Sequence, residues 1–171
     1  MLKKKSLYLI KSIVIIMKIR KAKKEDIPAI KDLVLKLFSK WEKIDPADKL
    51  DKDWFKKSKS NKFYTDMIKD KDKLLIVAEE DKVVGYLLLE TKYRDPFIKE
   101  NKVGYVSELF VLPEYRGRGI AKLLLKEGDK WFKKQKFKWI QVSTHALDKP
   151  ANKFWMSRGF TEFNKYYKKK N

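Results

Sequence analysis

Residues 106–121 constrain the fold of this chain more than any other stretch. They read Val-Ser-Glu-Leu-Phe-Val-Leu-Pro-Glu-Tyr-Arg-Gly-Arg-Gly-Ile-Ala. The run 106–112 is apolar, favours β structure and ends at Pro113, so it predicts a buried strand. A helix is predicted from Gly117 to about residue 134, because apolar residues recur there at helical spacing. Those apolar positions are Ile120, Leu124 and Trp131.

A strand, a glycine turn and a helix N-terminus together outline a site for an anion. Gly117 and Gly119 let a phosphate approach the main chain closely. The free N–H groups of the first helical turn and the helix dipole both favour negative charge. Arg116 and Arg118 add positive charge and forked donors at the same place. The spacing is neither a Walker loop nor a dinucleotide fingerprint, since Lys122 stands where the fingerprint needs a small residue.

Two sequence blocks resemble the GNAT superfamily of N-acyltransferases. Arg116-x-x-Gly119-x-Ala121, directly after the strand, is similar to that family's acyl-CoA signature, Gln/Arg-x-x-Gly-x-Gly/Ala. Residues 151–160, Ala-Asn-Lys-Phe-Trp-Met-Ser-Arg-Gly-Phe, resemble its later helix and strand start. The resemblance covers about residues 17–168. It implies an α/β (α+β) fold, in which helices flank a mixed, mostly antiparallel central sheet.

The resemblance also implies acetyl-CoA as the acyl donor, bound largely by main-chain groups. The pantetheine arm would pair with the central strand, and the diphosphate would rest on the amides of the glycine turn. The implied contacts are Leu109, Phe110, Val111, Arg116, Gly117, Arg118, Gly119, Ile120, Ala121 and Lys122. An asparagine that often contacts the cofactor in the family falls on Asp148, which completes the predicted set.

The implied reaction is N-acetylation, by direct attack of a primary amine on the thioester. A lysine-like amine has a reference pKa of about 10.4, so a base or a water relay must take its proton near neutral pH. Glu108, on the central strand near the implied thioester, is the predicted base. Its alternative role is that of a strand-end residue facing solvent or a lysine. His145 is a second candidate base, and its alternative role is structural. Some family members have a glutamate at the position of Gln141, whose amide cannot act as a base.

The general acid of the family has no direct counterpart in this sequence. The usual tyrosine falls on Trp155, which cannot usefully protonate sulfur. Tyr166 is therefore the predicted replacement, with Tyr167 as the alternative, although either residue could instead bind the acceptor or pack in a strand. The need for an acid is modest, because a thiol of reference pKa about 8.5 leaves tolerably as the thiolate. The amide of Phe110 is predicted to hold the oxyanion.

The composition agrees with one domain, which we place at residues 17–171 of the 171-residue chain. A hydrophobic fraction of 43% supports a packed core. The absence of cysteine excludes disulfides, thiolate metal sites and a cysteine nucleophile, and it fits a reducing compartment such as the cytoplasm. With a single histidine, no metal site is expected.

The formal net charge of +20 favours acidic ligands, and CoA is one. Nucleic acid is an alternative partner, but the lysines are scattered and no nucleic-acid motif accompanies them, so no specific binding is expected. Repulsion between like charges favours a neutral or acidic acceptor amine over a polycation. The acceptor, a small molecule or a protein amine, stays open, as does an oligomeric state. A non-catalytic acyl-CoA-binding module is the alternative function.

Residues 1–16 combine a basic start with an apolar run that Lys11 interrupts. The run is too short to span a bilayer, and no small-residue cleavage site follows it. Met17 begins a sequence similar to the N-terminus of family members. We therefore expect residues 1–16 to be an extension outside the fold, or Met17 to be the natural start.

The rest of the chain predicts short strands alternating with helices. The other predicted strands are 19–22, 74–79, 83–91, 137–144 and 160–167. The other predicted helices begin near Glu25, Asn61 and Pro150. Glu80-Asp81-Lys82 is a hairpin signal between two of the strands.

Overall fold

The structure, a computed structural model, describes residues 17–170. Residues 1–16, predicted to be an extension, lie outside the described residues. Within that range five strands form one sheet, in the same order as in the sequence. They are β1 (Lys18–Lys21), β2 (Lys73–Glu79), β3 (Val83–Tyr93), β4 (Lys102–Val111) and β5 (Ile140–Val142). The first four pair antiparallel, and β5 pairs parallel to β4. The predicted mixed, mostly antiparallel sheet is confirmed.

Four α-helices flank the sheet in the described part of the chain. They are α1 (Ile27–Ile44), α2 (Ser58–Lys69), α3 (Ile120–Lys134) and α4 (Lys149–Met156). The helix predicted to begin near Glu25 is α1, and its buried face includes Ile27, Ile30, Val34 and Leu37. Pro28 lies in the first turn of α1, where its missing N–H costs no hydrogen bond.

The core lies on both faces of the central strands. Consecutive residues of β2, Ile76 and Val77, are both fully buried, so helices must cover the two sides of the sheet. On one side α3 packs against Leu87 and Leu89 of β3 at Gly128. A Cβ atom there would lie 2.8 Å from Leu89 Cδ1, so the glycine permits the close approach.

A partly buried ionic cluster joins the first strand to the start of α1. Arg20 donates from Nη1 to Asp26 Oδ2 at 2.6 Å and from Nε to Glu79 Oε2 at 2.8 Å. The hydrogen bond from Arg20 lowers the pKa of the Asp26 carboxyl, although burial opposes it. Asp26 is 7% exposed, so this pairing offsets a desolvation cost that an isolated carboxylate would carry.

Three predicted elements differ from the structure. The predicted strand 160–167 is wrong, because those residues have no strand structure and Tyr166 and Tyr167 are 87% and 90% exposed. Their aromatic pattern lacks the pairing and burial that stabilise a strand. The strand predicted over 137–144 is confined to β5. The central strand, in contrast, begins at Lys102 rather than at residue 106.

Candidate functional site

The central strand β4 has a main-chain edge that its neighbour leaves open. Pairing with β5 runs only from Gly104 to Val106, whereas β4 continues to Val111. The edge beyond Val106 therefore offers main-chain donors and acceptors that β5 does not use. An extended ligand is able to pair with such an edge as another strand would.

A β-bulge at Ser107 decides which groups face this open edge. Leu89 of β3 pairs with Val106 and Leu88 pairs with Glu108, so Ser107 is the extra residue. Before the bulge, the amide of Gly104 points toward β5, since it donates to Trp139 O at 3.0 Å. Amide directions alternate along a strand, and an extra residue shifts that alternation by one.

After the bulge, the odd-numbered residues face the gap. The amide of Leu112 donates to Val84 O of β3 at 2.9 Å, which places the amide of Phe110 on the β3 side as well. The carbonyl of Val111 faces the other way, because it accepts from Arg116 Nε at 2.9 Å. The prediction that the Phe110 amide holds the oxyanion is therefore wrong. The amides of Leu109 and Val111 face the gap instead.

The turn after β4 presents the uncapped start of α3. Gly117 and Gly119 have φ angles of +79° and +78°, a left-handed conformation that favours glycine. No atom lies within 4 Å of where a Cβ on either glycine would be. No side chain caps the helix at Gly119, so the first-turn amides, among them those of Ala121 and Lys122, are available to a ligand. The turn has the geometry of an anion site.

The two arginines of the turn have different partners. Arg116 is held by Val111 O through Nε, and its guanidinium lies 5.6 Å from the ring centre of Phe110. Arg118 lies 4.9 Å from the ring of Tyr115, and its Nη1 is 3.7 Å from Glu80 Oε2. Lys122 is exposed, whereas Ile120 is buried and anchors the helix start in the core.

Glu108 lies half-buried among tyrosines on the sheet face opposite α3. Its Oε2 accepts a hydrogen bond from Tyr86 Oη at 2.5 Å, and Tyr86 is 1% exposed. Burial raises the pKa of the Glu108 carboxyl, the hydrogen bond from Tyr86 opposes that rise, and the charge of Glu90 adds to it. Burial and the charge of Glu108 raise the pKa of the Tyr64 phenol on α2. This cluster joins a carboxylate to two phenols beside the open edge.

Neither tyrosine of this cluster was predicted from the sequence. Tyr86 is recognisable only once β3 and β4 are set in register, because it sits opposite Phe110 and diagonal to Glu108. Tyr64 belongs to the aromatic group of α2, where core packing accounts equally well for such residues.

The structure does not bring every predicted residue to the site. Asp148 is 3% exposed and both its oxygens are occupied: Oδ1 accepts from Ala151 N at 3.2 Å, and Oδ2 accepts from Lys40 Nζ at 2.5 Å. It therefore caps α4 and ties it to α1. Tyr166 is on the surface, in a segment without helix or strand.

His145, the second candidate base, and Trp155, at the position of the family's tyrosine, also have structural partners. His145 Nε2 lies 2.7 Å from Asp48 Oδ2, and the ring is 5.7 Å from that of Trp41. Trp155 is 8% exposed and packs edge-on against Phe160. These contacts link loops and fill the core, and none joins the cluster around Glu108.

Residues 17–170 contain no group of three or more acidic or histidine side chains arranged to hold a metal ion. The same range has no helix that is both long and apolar enough to cross a membrane.

The chain belongs to the acetyltransferase (GNAT) family, whose model matches residues 30–160. It is thus an acetyltransferase domain. It is 28% identical over 103 residues to an uncharacterized N-acetyltransferase of Archaeoglobus fulgidus, a match over 60% of this chain and 69% of that protein. It is 25% identical over 146 residues to an uncharacterized N-acetyltransferase of Methanocaldococcus jannaschii, a match over 84% of this chain and 60% of that protein.

Solved structures confirm the fold. A mutant of the BH1408 protein from Bacillus halodurans superposes with a TM-score of 0.78 at 18% identity, over 91% of this chain and 99% of that chain. AAC(6')-Iy in complex with the bisubstrate analog CoA-S-monomethyl-acetylneamine superposes with a TM-score of 0.70 at 18% identity, over 91% of this chain and 99% of that chain.

Proposed function

We propose that this domain transfers the acetyl group of acetyl-CoA directly to a primary amine, with Glu108 as the base. The observation that carries the proposal is the open edge of β4, which runs from beside Glu108 to the uncapped start of α3. One extended, anionic ligand with a reactive end matches this arrangement. Its reactive end would lie beside Glu108, and its phosphates at Gly117 and Gly119.

The cofactor would be held mainly by the main chain. In this proposal the pantetheine amides pair with the gap-facing groups of Leu109 and Val111, as a neighbouring strand would. The diphosphate accepts from the amides of residues 117–122, and Arg116 and Arg118 add positive charge. Asp148 is left out of the proposed set, because two groups of the protein already occupy its carboxylate.

Glu108 is suited to take the proton of the amine. Burial raises the pKa of the Glu108 carboxyl above its usual value, which makes its carboxylate a stronger base. A base is most effective when its pKa lies close to the working pH. Tyr86 holds one oxygen of the carboxylate at 2.5 Å, which leaves the other oxygen for the substrate.

The bond changes then follow from these positions. The amine nitrogen forms a bond to the acetyl carbonyl carbon, and its proton passes to Glu108, directly or through water. The oxyanion that develops is stabilised by the gap-facing amide of Leu109. Collapse of the intermediate breaks the C–S bond. Because the thiol has a pKa of about 8.5, its thiolate leaves without an acid such as Tyr166.

Cofactor placement is tested by thermal unfolding with and without acetyl-CoA, on the wild type, Gly119→Asp and Gly119→Asn. Aspartate and asparagine tolerate the left-handed conformation similarly, so the two variants differ chiefly in charge. Ligand at about 100 times its dissociation constant should add about 2.7 kcal/mol to the free energy of unfolding. We expect Gly119→Asp to lose most of that gain and Gly119→Asn to keep more of it. Equal loss in both variants would contradict an anion at this turn.

Catalysis is tested separately from binding, because Trp155 in place of the family's tyrosine also fits a non-catalytic acyl-CoA-binding module. Release of CoA thiol is followed with a panel of primary amines that includes an aminoglycoside, because the AAC(6')-Iy neighbour is an aminoglycoside N-acetyltransferase. We expect Glu108→Gln to lower kcat/KM about 10²- to 10⁴-fold while binding of acetyl-CoA persists. Binding without amine-dependent release in the wild type would favour the binding module.

A further inference from the structure

Four aromatic side chains form one cluster where the 3₁₀ turn before α2 packs on that helix. They are Trp54, Phe55, Phe63 and Tyr64, and we call them the α2 aromatic cluster. The ring of Trp54 is at its centre, with its centroid 5.5 Å from that of Phe63 and 6.5 Å from that of Tyr64. The rings meet edge to face, which is an arrangement that aromatic pairs prefer.

A buried hydroxyl fixes the position of this cluster. Ser60 is fully buried in the first turn of α2, and its Oγ lies 2.7 Å from Lys57 O and 3.0 Å from Phe55 O. This contact ties the turn that carries Trp54 to the start of the helix. The rings are therefore held in place without a ligand, so little free energy is lost in ordering them when a ligand binds.

One end of the α2 aromatic cluster lies beside the proposed base. Tyr64 is on the buried face of α2 and is 5% exposed. Burial and the charge of the nearby Glu108 raise the pKa of its phenol. Because Tyr86 occupies only Oε2 of Glu108, the other oxygen is left for a substrate amine. An amine bound there is next to the aromatic cluster.

The other end of the cluster reaches solvent. Phe63 is 48% exposed, although Ser60 and Tyr64 of the same helix are buried. The ring centroids of Phe63 and Tyr64 are 5.3 Å apart, so exposed aromatic surface begins one ring away from the phenol beside Glu108. With the half-buried ring of Trp54, Phe63 forms a continuous apolar surface rather than a single exposed residue.

The chemistry of this surface selects the body of the acceptor. None of the four side chains is charged at neutral pH, and Phe63, the most exposed of them, has no polar side-chain atom. Such a surface stabilises apolar and aromatic groups by removing them from water. It offers no partner to the hydroxyls of a sugar, and a polar group that is buried without a partner is costly.

We propose that the acceptor is a primary amine on an aromatic or bulky apolar body, which packs on Trp54 and Phe63 while the amine nitrogen lies at Glu108. This inference rests on the proposed function, to which it adds the class of acceptor. Phenethylamine is the probe, because two carbon atoms separate its ring from its amine. Ethylamine is the matched small amine, since it has the same amine and lacks the ring.

The test compares kcat/KM for the two amines in the thiol-release assay, on the wild type, Phe63→Ala and Phe97→Ala. Phe97 is the matched control, since it is an 84% exposed phenylalanine in the loop between β3 and β4. We expect the wild type to prefer phenethylamine about tenfold or more. Phe63→Ala should lower kcat/KM for phenethylamine about tenfold, chiefly through KM, and leave that for ethylamine unchanged.

Phe97→Ala should change the value for neither amine. Equal kcat/KM of the wild type for both amines would overturn the proposal. An equal loss for both amines in Phe63→Ala would also overturn it, because Phe63 would then support the fold and not the acceptor.

Calorimetric titration of phenethylamine into the CoA-saturated protein separates this inference from the proposed function. Binding that Phe63→Ala weakens and Phe97→Ala does not would support the aromatic site, even if no amine caused thiol release and the proposed function failed. Thiol release with an aminoglycoside, together with no binding or turnover of phenethylamine, would instead support the proposed function and overturn the inference.

Discussion

The hydrogen bond from Tyr86 to Glu108 gives the proposed mechanism a measurable consequence. Tyr86→Phe removes one hydroxyl and keeps the buried ring, so the fold should persist. A hydrogen bond to a charged group contributes about 1.5–3 kcal/mol, and about 1.4 kcal/mol corresponds to one pKa unit. The bond favours the ionised carboxylate, and its loss should therefore raise the pKa of Glu108 further.

The pH dependence of kcat/KM reports this change. Because Glu108 must be ionised to accept a proton, the acid limb of the profile should move to higher pH by about one to two units in Tyr86→Phe. Activity should recover toward the wild-type value once the pH exceeds the new pKa. Tyr64→Phe is the matched control, since it removes a neighbouring phenol that makes no hydrogen bond to Glu108 within the described residues.

A direct titration keeps this prediction independent of the acceptor. The carboxyl carbon of Glu108, followed by nuclear magnetic resonance, should titrate at higher pH in Tyr86→Phe than in either the wild type or Tyr64→Phe. A fall in rate that is equal at every pH, with an unchanged titration of Glu108, would refute the reasoning. Tyr86 would then be a packing residue only.

Three other substitutions test separate parts of the structure. Arg20→Met should lower the free energy of unfolding by about 3–5 kcal/mol in urea titrations, because it leaves the buried carboxylate of Asp26 unpaired. In the wild type this stabilisation is present above the unfolded pKa of Asp26, about 3.9, and is lost as pH falls through its lower folded pKa. The free energy of unfolding of Arg20→Met should therefore fall less steeply as the pH is lowered. Gly104→Ala should cost about 1–3 kcal/mol, since its Cβ would lie 2.7 Å from Phe132 Cδ1 and 2.9 Å from Phe137 Cδ2. Tyr166→Phe should leave kcat unchanged in the thiol-release assay, and a loss of more than about tenfold would restore its predicted role as an acid.

Much of the fold was predictable because it depends on local patterns. The stripe of α1, the hairpin of β2 and β3, and the turn at Gly117 and Gly119 are each encoded by neighbouring residues. The geometry of the proposed anion site is also local. The main-chain amides at the start of α3 are exposed because the turn contains two glycines and no side chain caps the helix. Residues 160–167 show the opposite case, because aromatic residues do not form a strand without a partner strand.

The catalytic part was less predictable because it depends on register between strands. The pairing of Tyr86 with Glu108 joins residues on different strands, and the tie between Lys40 and Asp148 joins α1 to α4. The family resemblance placed Asp148 with the cofactor, because an asparagine that often contacts the cofactor in the family falls at this position. The structure instead gives its carboxylate two partners within the protein, which no local pattern indicates.

The bulge at Ser107 sets the orientation of both groups that the proposed mechanism uses. In a regular strand Glu108 would share a face with Val106, which is 2% exposed and pairs with Leu89 on the α3 side. The amide of Phe110 would then also point to the gap, where it was predicted to hold the oxyanion. One extra residue reverses both alternations, so that Glu108 faces Tyr86 while Leu109 supplies the amide. The base and the oxyanion donor of the proposed mechanism are thus adjacent residues whose opposite orientations follow from a single irregularity in β4.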